Sequence, residues 1–204
     1  VTWGNADLGG DDSAVRYQLR GVQQIQATNG AFAAILEDGS VVSWGDAELG
    51  GDSSEVRDQL WSVQHIQATN GAFAAILEDG SVVTWGNADF GGDSAAVRDQ
   101  LRGVQQIQAA RGAFAAILED GSVVSWGSAS FGGDSSAVRD QLKGVQQIQA
   151  APEAFASILE DGSVVTWGNA DLGGDDSAVR YQLRGVKQIQ GTNGAFAAIL
   201  EDGS

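Results

Sequence analysis

The sequence predicts a mainly β protein: a propeller-like ring, or an open arc, of five three-stranded antiparallel sheets, each unit carrying a short connecting helix. Two observations predict it. Trp3, Trp44, Trp85, Trp126 and Trp167 recur every 41 residues, each followed by glycine, and a fixed period of this length marks stacked supersecondary units. Within each period three short apolar segments alternate with turn signals, the pattern of an antiparallel meander. The chain is thus one repeat domain of five units, 1–40, 41–81, 82–122, 123–163 and 164–204.

In the first unit, residues 22–27 (VQQIQA) read as a strand with Gln24 and Gln26 on one face and Ile25 and Ala27 on the other. Asn29-Gly30 follows, a two-residue hairpin signal because both residues accept positive φ. Residues 31–37 (AFAAILE) are small and apolar on both faces, as expected of a strand buried on both sides. Asp38-Gly39 predicts a second tight turn, repeated at Asp79-Gly80, Asp120-Gly121, Asp161-Gly162 and Asp202-Gly203, and residues 41–44 form the third strand.

After each Trp-Gly comes a glycine-rich loop and then a segment such as residues 94–101 (SAAVRDQL). It predicts a helix of about two turns, with Ser94 as N-cap, Asp93 at the positive end of the dipole, Val97 and Leu101 on one face, and Gly103 as the stop. An outer fourth strand is the competing reading. Three-stranded sheets bury both faces only when placed side by side. A ring of five closes if Val1–Gly4 (VTWG) supplies the third strand of the last sheet. The chain begins inside this strand-like segment and lacks methionine, which suggests a processed product or a window of a longer chain.

Composition narrows the partners. With 27 acidic and 11 basic residues the net charge is −16, which opposes phosphate backbones and anionic membranes and favours cationic or neutral surfaces. Without cysteine there is neither disulfide nor thiolate chemistry. No apolar run approaches the roughly 18 residues that span a bilayer.

The segment DGSVVTWG, the glycine-rich loop after it, and GVQQIQATNGAFAAILEDG together resemble the regulator-of-chromosome-condensation repeat, over the whole chain and five times. The resemblance implies a β-propeller. The short unit is more similar to compact bacterial members, such as the β-lactamase inhibitory propeller, and to arrays in large ubiquitin ligases. Family propellers usually have seven blades, so five units depart from the pattern. Ala31-Phe32 stand where the family carries a histidine. Nucleotide exchange and nucleosome binding map onto no residue here.

Catalysis finds little support. The only histidine, His65, occupies a strand position held by Gln24, Gln106, Gln147 and Gln188 elsewhere, and no nucleophile or phosphate-loop motif occurs. Asn5, Asp7, Asp11 and Asp12 gather oxygens suited to calcium, but the equivalents Ser128 and Ser130 lack the carboxylates, and capped turns explain the loop better. The recurring tryptophans read as packing between sheets. Arg16, Arg57, Arg98, Arg139 and Arg180 read as ion-pairing groups.

Units differ chiefly in the loop after Trp-Gly and in the first hairpin turn (TNG, TNG, ARG, APE, TNG), and loops on a rigid scaffold are where recognition residues gather. Candidate partner-binding residues are therefore Asp46, Glu48, Phe90 and Phe131 in the loops, Arg111 and Glu153 in the turns, and Trp61 and His65. Trp61 replaces Arg20, Arg102, Lys143 and Arg184 and is the best hot-spot candidate. The expected function is a non-catalytic protein-binding scaffold with no cofactor. A multivalent lectin acting through avidity is the alternative, and a calcium-binding repeat protein the third reading.

Overall fold

The computed structural model describes residues 1–204, which form two compact units, Val1–Gly103 and Val104–Ser204. The first holds two antiparallel sheets, β1 (Val22–Ala27), β2 (Ala31–Leu36) and β3 (Val41–Gly45), then β4 (Val63–Ala68), β5 (Ala72–Leu77) and β6 (Val82–Gly86), each in sequence order. The second holds β7 (Val104–Ala109), β8 (Ala113–Leu118) and β9 (Val123–Gly127), then β10 (Val145–Ala151), β11 (Ala154–Leu159) and β12 (Val164–Gly168), and finally β13 (Val186–Gly191) and β14 (Phe196–Leu200). Four sheets thus have three strands and the fifth has two. Val1–Gly4 lies outside any strand, and Trp3 is 86% exposed.

The middle strands form the core. All six residues of β5 and of β8 are buried, as the run of small and apolar side chains requires. Across the β5–β6 pair Phe73 faces Trp85, with ring centroids 5.1 Å apart in a stacked arrangement. The Trp85 indole Nε1 donates to the Gly50 carbonyl at 3.1 Å. In the second unit Trp167 repeats the design, stacked on Phe155 at 5.2 Å and donating to Gly132 at 3.0 Å. These aromatic pairs combine a large buried area with a satisfied polar tip, so Trp44, Trp85 and Trp167 hold sheets and loops together, whereas exposed Trp3 does not pack between sheets as the repeat predicts.

Three local details differ from the sequence-based expectation. Each first strand carries a β-bulge, as between Val63 and His65, so simple alternation fails. Val63 and Ile66, three residues apart, both enter the core with Leu60, because the extra residue turns the strand by one position.

The connecting helix is not an α-helix. Residues 54–59 and 136–141 are 3-10 turns, only Arg98–Gln100 is helical in the 94–101 segment, and the first and fifth units have plain turns there. In the second to fourth repeats the bonds run i to i+3, as in Val97 N–H to Ser94 and Leu101 N–H to Arg98, while the first and fifth add isolated i to i+4 bonds at Arg16 and Arg180. A segment this short does not repay α-helix nucleation, and burial of Leu101 fixes its end. Ser94 is not the cap. The Asp93 carboxylate accepts from the Ala95 N–H at 2.8 Å, while buried Ser94 receives the Thr84 hydroxyl at 3.0 Å.

The Asn-Gly turn also works differently. Gly30 is not in the positive-φ region. Thr28 organises the turn, its Oγ1 accepting from the Ala31 N–H at 3.0 Å. Gly30 serves close approach, since a Cβ there would lie 3.0 Å from the Leu8 and Leu49 side chains, although Glu153 holds the equivalent position in the fourth repeat. The Asp-Gly turns form as expected. Gly39 has φ 76°, and the Asp38 carboxylate accepts from both the Ser40 hydroxyl and its N–H.

Candidate functional site

Within the first unit the candidate residues separate to opposite ends of the strands. Asp46 and Glu48 follow β3, and Phe90 follows β6, at the end where the β1–β2 and β4–β5 turns lie. The Asp46 N–H donates to Gly30 at 2.8 Å, and the Asp46 carboxylate caps the Glu48 N–H at 2.9 Å. Phe90 is half-buried against Gly71. Trp61 and His65 sit at the other end, before and early in β4.

Trp61 is 62% exposed. The next residue, Ser62, has φ 53°, the chain's only non-glycine residue with positive φ, and stands where the other units have glycine. An L side chain in this region costs about 1–2 kcal/mol. Strain kept beside an exposed aromatic is a feature that function can exploit. Ser62 also lines an open cavity of about 470 Å³ with Gln23, Gln24, Glu37, Asp38 and Gln64, while the His65 side chain is exposed.

In the second unit three candidates from two successive repeats come together, Arg111 from one and Phe131 and Glu153 from the next. The Arg111 guanidinium lies 5.5 Å from the Phe131 ring centroid and 3.7 Å from the Glu153 carboxylate. Glu153 also accepts from the Asn169 side-chain amide at 2.9 Å, and the Arg111 N–H donates to Pro152 at 2.8 Å. Arg111 is therefore engaged on its ring face and its charge, although its side chain stays 53% exposed. Asn169 is not among the residues singled out from the sequence, because the same asparagine recurs as Asn5 and Asn87.

The remaining polar residues serve turns. Asn5 and Asp11 accept from the N–H groups of Asp7 and Ser13, and buried Asp12 pairs with Arg16 at 2.6 Å. Asp176 and Arg180 repeat this pair, whereas no ion pair forms at Arg57, Arg98 or Arg139, whose units carry Ser53, Ser94 and Ser135 in place of the aspartate. The Ser40 hydroxyl and N–H hold the Asp38 carboxyl below its ordinary value of 3.8, and Asp79, Asp120, Asp161 and Asp202 are lowered by the equivalent serines.

No protein-family model and no curated protein sequence matches the chain. Solved structures do. The ectodomain of the Physcomitrella patens receptor kinase CR4 matches with TM-score 0.59 at 15% identity, over 88% of this chain and 50% of that one. Prp20p of Saccharomyces cerevisiae matches with TM-score 0.52 at 22% identity, over 74% and 44%. The CRINKLY WD40 ectodomain of Arabidopsis thaliana ACR4 gives 0.50 at 17%, over 76% and 52%. The likeness is one of fold. It shows a β-propeller-type repeat fold, and the chain spans about half the length of these structures.

Proposed function

We propose that the chain is a non-catalytic protein-binding scaffold, with Trp61 as its principal contact. The observation that carries this reading is the division of labour among the aromatics. Trp44, Trp85, Trp126 and Trp167 are 4–5% exposed and committed to packing, whereas Trp61 is 62% exposed, replaces a cationic residue and adjoins a strained serine. An exposed tryptophan on a rigid support is the side chain most enriched at contact hot spots. The net charge of −16 favours a basic protein surface as partner. Prp20p, of similar fold, is described with binding properties toward Gsp1p and histones, and it has been seen bound to Kap60.

The test is quantitative capture of binding proteins by the chain and by Trp61→Arg, the residue type of the other units. A hot spot of about 2–4 kcal/mol would lower retention at least thirtyfold in the variant. Unchanged retention overturns the assignment of Trp61. Saturable binding at several sites per chain on a glycan array would replace the scaffold reading by a lectin.

A further inference from the structure

Trp61 and Ser62 stand at a junction between two acidic turns. A Cβ on Gly39, in the Asp38-Gly39 turn of the first sheet, would lie 2.8 Å from the Ser62 Cα, and the Val63 N–H donates to the Gly39 carbonyl at 2.9 Å. From the second sheet the Glu78 N–H donates to the Ser62 carbonyl at 2.9 Å. The acids of both turns, Glu37, Asp38, Glu78 and Asp79, are exposed. Asp38 and Asp79 are held by the hydroxyls of Ser40 and Ser81, which leaves Glu37 and Glu78. The second compact unit builds the junction in the same way: Gly144 adjoins Gly121 and accepts from Glu160, and Gly185 adjoins Gly162 and accepts from Glu201.

The residue before the junction differs. Lys143 and Arg184 put a cation beside the acidic turns, and the same position holds Arg20 and Arg102 in the first and third repeats. Such a cation offsets the repulsion between neighbouring carboxylates. The second repeat has Trp61 instead. It also carries seven acids and one arginine over residues 41–81, where each other repeat has five acids and two or three cations. Its glutamate is released as well. Gln105 and Gln146 donate to the carboxylates of Glu119 and Glu160 at 3.4 and 3.3 Å, whereas Gln64 turns back to the Ser62 carbonyl at 3.5 Å.

We propose that this junction takes an arginine or lysine side chain of a partner protein, which supplies the cation that the second repeat lacks. This rests on the reading of Trp61 as the principal contact and adds the chemistry of what it contacts. The partner's cation lies on the indole face, tryptophan being the aromatic side chain that holds a cation best, and Glu37 and Glu78 balance its charge. The chain already holds one guanidinium in this manner, with Arg111 5.5 Å from the Phe131 ring centroid and 3.7 Å from Glu153.

Fluorescence anisotropy of a labelled glycine–serine peptide bearing arginines tests this, against the same peptide with citrulline in place of arginine. The arginine peptide should bind the chain and the citrulline peptide should not. Trp61→Leu, which leaves the charge unchanged, should weaken binding about fivefold. Glu78→Gln should weaken it about threefold, and more than Glu119→Gln, which removes the same charge one repeat further on. An arginine peptide that binds no better than the citrulline peptide overturns the proposal. So does arginine binding that Trp61→Leu leaves unchanged, because attraction to the net charge then accounts for it. If Trp61→Arg still loses its captured proteins in that case, Trp61 remains a contact and only the cation assignment falls.

Discussion

At the strand end that carries the turns, the two compact units solve one problem with different chemistry. In the first, Thr69 is 4% exposed. Its Oγ1 lies 2.9 Å from the Phe90 carbonyl, to which it donates, and accepts from the Ala72 N–H at 3.0 Å. Thr28 does the same toward Leu49 and Ala31. In the second unit, alanine stands at the equivalent positions 110 and 151, and only Thr192 of its last repeat keeps the hydroxyl. There Arg111, Phe131, Glu153 and Asn169 tie turns to loops from the outside. A buried neutral hydroxyl is shielded from salt, and its loss strands several polar groups. A half-exposed ion pair is screened and contributes little.

The comparison yields graded expectations. Thr69→Val keeps the shape but strands the Ala72 N–H and the Phe90 carbonyl, so it should cost about 1–3 kcal/mol in chemical denaturation, with little dependence on salt. Installing the tie in the second unit, Ala110→Thr, should stabilise by about 1 kcal/mol. Failure of that gain would mean that the Arg111 cluster has displaced the loop from its acceptor position. Arg111→Ala should cost less than about 1 kcal/mol, and the cost should shrink as salt rises. An equally large, salt-independent loss would place the cluster in the same class as Thr69.

The Asp-Gly turns are common to both units and provide an internal control. Their carboxyls titrate below 3.8 when folded. Their contribution is therefore complete above the unfolded value and is lost as pH falls through the lower folded one. Acid titration should destabilise both units below about pH 4. Asp38→Asn and Asp120→Asn should each flatten that dependence to the same small extent.

Much of the fold was legible because its determinants are local. Trp-Gly spacing, the AFAAIL core strands and the Asp-Gly turns depend on residues within one unit. The bulge at Gln64, the Thr28-centred turn and the 3-10 connection were not legible. Each is decided by a neighbouring element: core contact of both Val63 and Ile66, packing of Gly30 against Leu8 and Leu49, and burial of Leu101. At the candidate site the sequence singled out Arg111, Phe131 and Glu153 but not the contacts of Arg111 with the other two, since Arg111 belongs to the preceding repeat. One signal was available: the units that lose threonine at 110 and 151 are those that gain Arg111 and Glu153.

The central claim is that recurring residues hold the fold while departures from the repeat face a partner. Paired unfolding measurements on Trp85→Ala and Trp61→Ala test it most directly. Trp85, 4% exposed and stacked on Phe73, should cost about 3–5 kcal/mol on truncation. Trp61 should stay within about 0.5 kcal/mol of the parent. Comparable losses for the two would make Trp61 a packing residue and contradict its role as a contact.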